Sequence, residues 1–249
     1  MMSLVSIIMP AYNASHFISR SIQCILDQNY DNFELIIICD APTDNTVEIV
    51  KSFTDKRIRT FFLESNHGVS EARNLGLSQA SGRYIAFCDA DDFWYPEKLS
   101  IQIHLMQTQN LSICHSNCDL VNTAGNKIGQ RIYPSIVTYK IMKYRNFICN
   151  SSGIYDAKKL SIVFQEKVYH EDYLMWLSLL SKAGKSVRSS QPLLMYTINP
   201  NGLSHNKIKS FLGMLKIQHL HGISLIECVF NLVPHIISRV FLYNMWKSK

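Results

Sequence analysis

The stretch Tyr84-Ile85-Ala86-Phe87-Cys88-Asp89-Ala90-Asp91-Asp92 constrains this chain most, because a short apolar run ends in three carboxylates within four residues. The run has the length and character of a strand buried on both faces, as in a parallel sheet covered by helices. Like charges this close raise one another's pKa unless a metal, a hydrogen-bond donor or water offsets them. An Asp-x-Asp pair at the C-terminal end of a strand also offers hard oxygen ligands suited to Mg²⁺ or Mn²⁺. A solvated acidic turn is the competing reading, and the flanking sequence decides between them.

Upstream, Val5-Ser6-Ile7-Ile8-Met9 reads as a buried strand stopped by Pro10, followed by the loop Ala11-Tyr12-Asn13. A helix is expected from about Ser15 to Gln28, with Ile18, Ile22, Ile25 and Leu26 inward. Glu34 to Cys39 forms a second strand with Asp40 just beyond it, and Asn45 with Glu48 is a candidate capping box for a helix reaching Phe53. Ile58 to Leu63 is a third strand, and Gly68 opens a helix running to about Ala80. Strand and helix alternating at this spacing predict an α/β fold with a mainly parallel sheet. Tyr12, Asp40, Asp89 and Asp91 then share the C-terminal strand edge, where open α/β sheets bind ligands. Neither Gly-x-Gly-x-x-Gly nor a Walker A sequence occurs, so dinucleotide and P-loop readings lack support.

Pro96 opens a further helix whose inner stripe is Leu99, Ile103 and Met106. Beyond it the alternation weakens. Ile113 to Val121 and Lys127 to Tyr133 suggest a hairpin, Tyr139 to Arg145 a short helix, and Ile148 to Tyr155 a loop or strand. His170-Glu171-Asp172 directly precedes the apolar helix Tyr173 to Leu180, where carboxylates are favoured by the helix dipole. The pair is therefore either a cap or part of a site. Short strands follow near Lys185 to Ser189 and Leu193 to Ile198, then a turn at Asn199 to Gly202 leading to His205.

Charge separates the end of the chain from the rest. Of a net +6, five charges lie in residues 205–249, where Lys207, Lys209, Lys216, Arg239, Lys247 and Lys249 face Glu227 alone. Polar residues and Pro234 interrupt every stretch long enough to span a bilayer, so this tail reads either as interfacial helices or as cover for the sheet. No basic face with reader motifs points to nucleic acid. Seven scattered cysteines suit reduced thiols in a cytosolic protein, Cys114, His115 and Cys118 lack a second pair for zinc, and no signal peptide is expected before Val5.

Taken in order, Val5 to Asn13, the Asp40 to Thr46 turn, Gly68-Val69-Ser70-Glu71-Ala72-Arg73-Asn74-Leu75-Gly76-Leu77, Ala80 to Phe87 and Asp89-Ala90-Asp91-Asp92 resemble one family. It is the inverting, metal-dependent glycosyltransferases of family 2 with the GT-A fold, especially bacterial enzymes of O-antigen and other surface polysaccharides. The resemblance covers about residues 4 to 200 and implies a catalytic domain over 1–204 with a helical, membrane-associating appendage over 205–249. It implies that Pro10, Ala11 and Tyr12 line the nucleotide pocket, that Asp40 accepts from uracil, and that Arg73 sits by the base or diphosphate. Asp89 with Ala90 would hold the nucleotide, and Asp91 with Asp89 a Mn²⁺ or Mg²⁺ ion, Asp92 and His205 being further candidate ligands. Asp172 would be the catalytic base, with Glu171 second.

The implied reaction moves a hexose or N-acetylhexosamine from a UDP-sugar to a lipid-diphosphate-linked saccharide at the inner face of the cytoplasmic membrane. Two features depart from the family pattern. Cys39-Asp40-Ala41-Pro42 stands where two aspartates and Gly-Ser are usual, and Asn199 stands where a histidine is common. A nucleotidyltransferase would need a Gly-rich basic loop after the first strand, and an inactive binding module need not keep Asp89, Asp91 and Asp172 together.

Overall fold

A computed structural model describes residues 3–199, 207–224 and 227. The first half alternates as expected: β1 (Val5–Ala11), α1 (Ile18–Leu26), β2 (Phe33–Cys39), α2 (Thr46–Ser52), β3 (Ile58–Phe62), α3 (Val69–Gln79) and β4 (Tyr84–Phe87). Then follow β5 (Phe93–Trp94), α4 (Lys98–Thr108), β6 (Ile113–His115), β7 (Cys118–Val121), β8 (Lys127–Arg131), β9 (Ile136–Thr138) and α5 (Tyr139–Met142). A single 3₁₀ turn at Asn150–Ser152 leads into β10 (Ile154–Asp156), α6 (Ala157–Leu160), α7 (Glu171–Ala183), β11 (Lys185–Arg188), β12 (Leu194–Thr197) and α8 (Lys207–Leu220).

The main sheet runs β3-β2-β1-β4-β10-β6-β11-β9, and its first four strands are mutually parallel. β10 is antiparallel to both β4 and β6, while β11 is parallel to β6. Alternate residues of β1 serve opposite layers. Val5, Ile7 and Met9 pack with Ile18, Ile22, Ile25, Leu99, Ile103 and Met106 of α1 and α4, whereas Ile8 joins Phe87, Leu77 and Trp176 on the side of α3 and α7. This period-2 division is why a strand buried on both faces is almost wholly apolar.

Several local expectations change. Pro10 does not end β1, which continues to Ala11. Cys88 N–H donates to Ile8 O and Asp40 N–H to Ala11 O, so even-numbered residues of β1 face β4 and odd ones β2. Pro10 thus points its missing donor past the last β4 pair, Ile8 with Phe87, where no ladder bond is lost. The helix expected from Ser15 begins at Ile18, and Asn45 makes no side-chain cap for α2. Asp44 takes that role, accepting from Thr46 N at 3.0 Å and from Ser15 N at 3.0 Å, so one carboxylate ties the starts of two helices together. Burial acts against this charge, but the hydrogen bonds from Thr46 and Ser15 hold Asp44 down at about 2.

The run from Ile113 to Val121 divides between two sheets. β6 stays in the main sheet, and β7 pairs antiparallel with β8 in a second sheet of order β5-β12-β7-β8 that the sequence pattern does not reveal. The segment expected as an appendage starts with α8, which packs on the preceding domain. Ile217 and Gln218 are buried, Gln218 Nε2 donates to Tyr144 O at 2.7 Å, and Tyr139 Oη lies 2.9 Å from His221 Nδ1. The turn residues 200–202, His205, Cys228 and the tail beyond 228 lie outside the described residues.

Residues of the most recognisable sequence stretch turn out to build the scaffold. A Cβ on Gly76 would come within 2.5 Å of Ile8 Cγ2, so glycine lets α3 lie close on β1. Glu34, buried on β2, accepts from Ser6 Oγ at 2.6 Å, from Ser81 N at 2.8 Å and Oγ at 2.7 Å, and from Arg59 Nη1 at 2.7 Å. Gly82 fits against Ser6, whose backbone N would lie 2.5 Å from an added Cβ. This cluster pins the turn that feeds the chain into β4.

Candidate active site

Arg73, at the middle of α3 and 4% exposed, is the hub of the site. Its Nη2 donates to Asp89 Oδ1 at 2.7 Å, and its Nη1 donates to Glu171 Oε1 at 2.7 Å and to Gln165 Oε1 at 3.2 Å. The end of β4 and the first turn of α7, 82 positions apart from Asp89 to Glu171, are thereby joined through one guanidinium. Burial disfavours that charge, yet Asp89 and Glu171 more than offset it and raise the Arg73 pKa further. Its neighbour Asn74 secures the adjoining loop, donating to Gln165 O and accepting from Gln165 N.

The three acidic residues after β4 have three different surroundings. Asp89 is paired with Arg73, and its backbone N–H donates to Ser151 Oγ at 3.1 Å. Burial and the charge of Asp89 push the Asp91 carboxyl up to about 6, although a hydrogen bond with Asn199 draws it the other way. Asp92 is 1% exposed and turns into the protein, where Oδ1 accepts from Thr197 N at 3.1 Å. Burial, with Asp91 beside it, raises the Asp92 pKa well above the usual carboxylate range. Asp92 pins β12 to the strand end, and Asp89 and Asp91 face the site. Ala90, between them, accepts from Ser21 Oγ of α1 at 2.7 Å.

At the other side of the site, His170 has φ 66 and starts α7, with Glu171 and Asp172 in the first turn. Glu171 is taken by Arg73, whereas Asp172 is held by a long hydrogen bond from Asn146 Nδ2 to Oδ2, at 3.3 Å, and by the backbone N–H of Tyr173. Burial and the adjacent Glu171 push the Asp172 carboxyl up to about 6, with Arg73 pulling it down. The two carboxylates are thus distinguished: Glu171 is bonded to Arg73, and Asp172 is not.

Asp40 and Tyr12 form the remaining corner. Asp40 is buried, and its Oδ1 and Oδ2 accept from the backbone N–H groups of His67 and Gly68, each at 2.8 Å. The carboxylate expected to meet a uracil therefore also fixes the turn that starts α3, where Gly68 has φ 91. Ala41, next in the turn, has φ 48, a left-handed conformation unfavourable for alanine. Tyr12 is 51% exposed at the end of β1, beyond the buried Ala11. Gln165, Asn146, Ser151 and Thr197 are not legible as site residues in the sequence, because they come from irregular segments, a single 3₁₀ turn and a four-residue strand, with no acidic cluster to mark any of them.

No group of three or more His, Cys, Asp and Glu side chains suited to a metal occurs among the described residues. Two carboxylates, Asp91 and Asp89, nevertheless fit a Mg²⁺-type ion, which takes one or two protein carboxylates and completes its shell with substrate phosphates and water. Burial first and the neighbouring Asp89 second raise the Asp91 pKa, and a bound cation would offset the second of these.

Arg73→Ala should lower stability by about 3 kcal/mol or more at pH 7.5, because it leaves two partly buried carboxylates without their cation. Arg73→Lys, which keeps the charge but cannot reach both carboxylates at once, should recover only part of the loss. Thermal unfolding of both variants checks this, and no recovery in Arg73→Lys would mean that packing rather than charge explains the loss.

Residues 6–168 match the family described as glycosyl transferase family 2. Among similar proteins, a UDP-Glc:alpha-D-GlcNAc-diphosphoundecaprenol beta-1,3-glucosyltransferase of Escherichia coli, WfgD, is 38% identical over 208 residues, covering 83% of this chain and 81% of the relative. WfaP, from the same species and with the same described activity, is 36% identical over 232 residues, covering 89% and 88%. The fold matches S. aureus TarS, solved in complex with UDP-GlcNAc, with a TM-score of 0.69, 22% identity and coverage of 87% of this chain and 65% of that one. The mannosyltransferase PcManGT of Pyrobaculum calidifontis, solved with GDP-Man and Mn²⁺, matches with a TM-score of 0.67 at 14% identity, covering 90% and 66%. With a GT-A-like mixed sheet, the acidic strand end and this family match over most of its length, the chain belongs to glycosyltransferase family 2.

Proposed function

We propose that this protein is an inverting glycosyltransferase that moves a hexose, glucose in the first instance, from a UDP-sugar to a polyprenyl-diphosphate-linked saccharide during surface polysaccharide synthesis. The observation that carries this reading is the division of labour imposed by Arg73. It bonds to Asp89 and Glu171 and orients them, while Asp91 and Asp172, which it does not bond, are both pushed up to about 6. The described activities of WfgD and WfaP support the donor and acceptor classes.

Asp172 accepts the proton of the acceptor hydroxyl as that oxygen attacks C1 of the donor sugar. The C1–O bond to the diphosphate breaks, UDP departs, and the configuration at C1 inverts in one displacement without a covalent intermediate. Asn146 holds the Asp172 carboxylate in place, and the α7 N-terminus favours its charged form before it takes the proton. Asp89 and Asp91 would hold a Mg²⁺ or Mn²⁺ ion, which when bound stabilises charge developing on the departing diphosphate. Tyr12 and the Asp40 turn border the space for the base.

Asp172→Asn should reduce turnover on the order of 10²- to 10⁴-fold with UDP affinity retained, as assayed by UDP release from UDP-glucose. Its folded pKa of about 6 lies above the ordinary 3.8, so its contribution to stability is fully present below that ordinary value and is lost as pH rises through 6. The variant should therefore match or exceed the wild type in thermal stability at pH 8, with the advantage vanishing toward pH 4. Near-normal turnover, or a clear loss of stability at pH 8, would make the residue a cap and move the base elsewhere.

Asp91→Ala should abolish the Mn²⁺-dependent part of UDP binding in calorimetric titration. Unchanged affinity and unchanged metal dependence would remove Asp91 from the ion site.

A further inference from the structure

The outward side of α8 is apolar where a helix packed on a soluble domain is normally polar. Phe211, Leu212 and Leu220 are 37%, 57% and 63% exposed, and with Lys216 and His219 they follow the 211, 212, 216, 219, 220 spacing of a single helical face. The opposite face holds the helix to the domain through the buried Ile217 and Gln218 and the contact of Ser210 with His170 Nε2, at 2.9 Å to Oγ. Beside it lies α5 and its following turn, joined to α8 by the Gln218–Tyr144 and His221–Tyr139 contacts. That segment presents Lys140, Lys143 and Arg145, together with the exposed ring of Tyr144.

None of Lys140, Lys143, Arg145 and Lys216 forms an ion pair among the described residues. An exposed Glu166 near His221 offsets part of this charge. An apolar stripe beside cations that lack a carboxylate partner among the described residues, two of them over the rings of Tyr139 and Phe147, complements the boundary of an anionic bilayer, with acyl chains meeting the stripe and phosphates meeting the cations. A protein surface of mixed charge would meet those cations with cations of its own as well as carboxylates, whereas an anionic leaflet presents phosphates throughout.

We propose that the outward face of α8 and the basic α5 turn together form a docking surface for an anionic lipid membrane. Both elements are wired to the catalytic residues. Asn146, one residue after Arg145, donates to Asp172, and the residue that starts α7, His170, is bonded to α8. Docking would thus set the base at a fixed height above the lipid phosphates, where a diphosphate-linked acceptor presents its sugar. That purpose rests on the function proposed above, whereas the docking itself does not.

The test uses the full chain and sedimentation with phosphatidylcholine vesicles with and without phosphatidylglycerol. The wild type should bind only the acidic vesicles and be partly released by salt. Leu212→Glu with Leu220→Glu should weaken that binding at least tenfold. Lys140→Gln, Lys143→Gln and Arg145→Gln together should weaken it at low salt by roughly fivefold per residue and flatten the salt dependence. Both variants should keep wild-type UDP and Mn²⁺ binding and wild-type thermal stability.

Unchanged vesicle binding in both variants would overturn the proposal by assigning attachment to another segment. A wild-type dimer that Leu212→Glu with Leu220→Glu dissociates would assign the stripe to a second copy. A large loss of thermal stability in that variant would assign the stripe to cover by the chain itself. Failure of UDP binding in the wild type would instead overturn the proposed transfer reaction while leaving the docking result to stand.

Discussion

One buried guanidinium bears most of the organisation of this site. Three acidic side chains at the end of β4 and two more at the start of α7 would repel one another across a small space. Arg73 bonds to one member of each group, so the two elements are held together by the charge that would otherwise separate them. Removing a guanidinium from water is costly, and this cost is offset only by close geometry on both sides. The geometry in turn depends on α3 lying low on the sheet, which Gly76 permits, and on Asn74 fixing the loop that supplies Gln165. The scaffold residues and the charged residues of this stretch are therefore one mechanism seen at two levels.

The carboxylates that Arg73 does not bond are the ones that the proposed chemistry uses. Asp91 and Asp172 are held where burial and a neighbouring carboxylate raise their pKa, a condition that disfavours the folded state at neutral pH. Stored electrostatic strain of this kind is common where function needs reactive groups. Asp92 shows the contrast, since its carboxyl lies in the same short stretch but turns inward to bond β12 and serves the architecture.

The first half of the fold is legible in the sequence because its elements are long, apolar and regularly alternating, and a two-sided buried strand such as Phe33–Cys39 has few other interpretations. The sequence also marks the acidic strand end and the Glu171-Asp172 pair. Legibility fails where tertiary contacts override local pattern. The second sheet is assembled from strands of two to five residues drawn from four separate places, too short for any period to show. Pro10 reads as a strand terminator, yet its missing donor happens to face the side where β4 has already ended. Asn45 with Glu48 matches a capping pattern, but Asp44 reaches both Thr46 and Ser15 and displaces it. The separate roles of Glu171 and Asp172 are not readable either, because they follow from which carboxylate Arg73 can reach.

The central claim of the proposed function is that the acceptor oxygen, losing its proton to Asp172, displaces the diphosphate directly at the sugar carbon, and the stereochemistry of the product tests it most directly. Proton NMR of the first-formed linkage, made from UDP-α-glucose and a GlcNAc-diphosphate-lipid acceptor, reports the anomeric configuration before any equilibration. The account predicts a β-linked product from the outset. An α-linked first product would require a second displacement or front-face departure, and would contradict the assignment of Asp172 as the base.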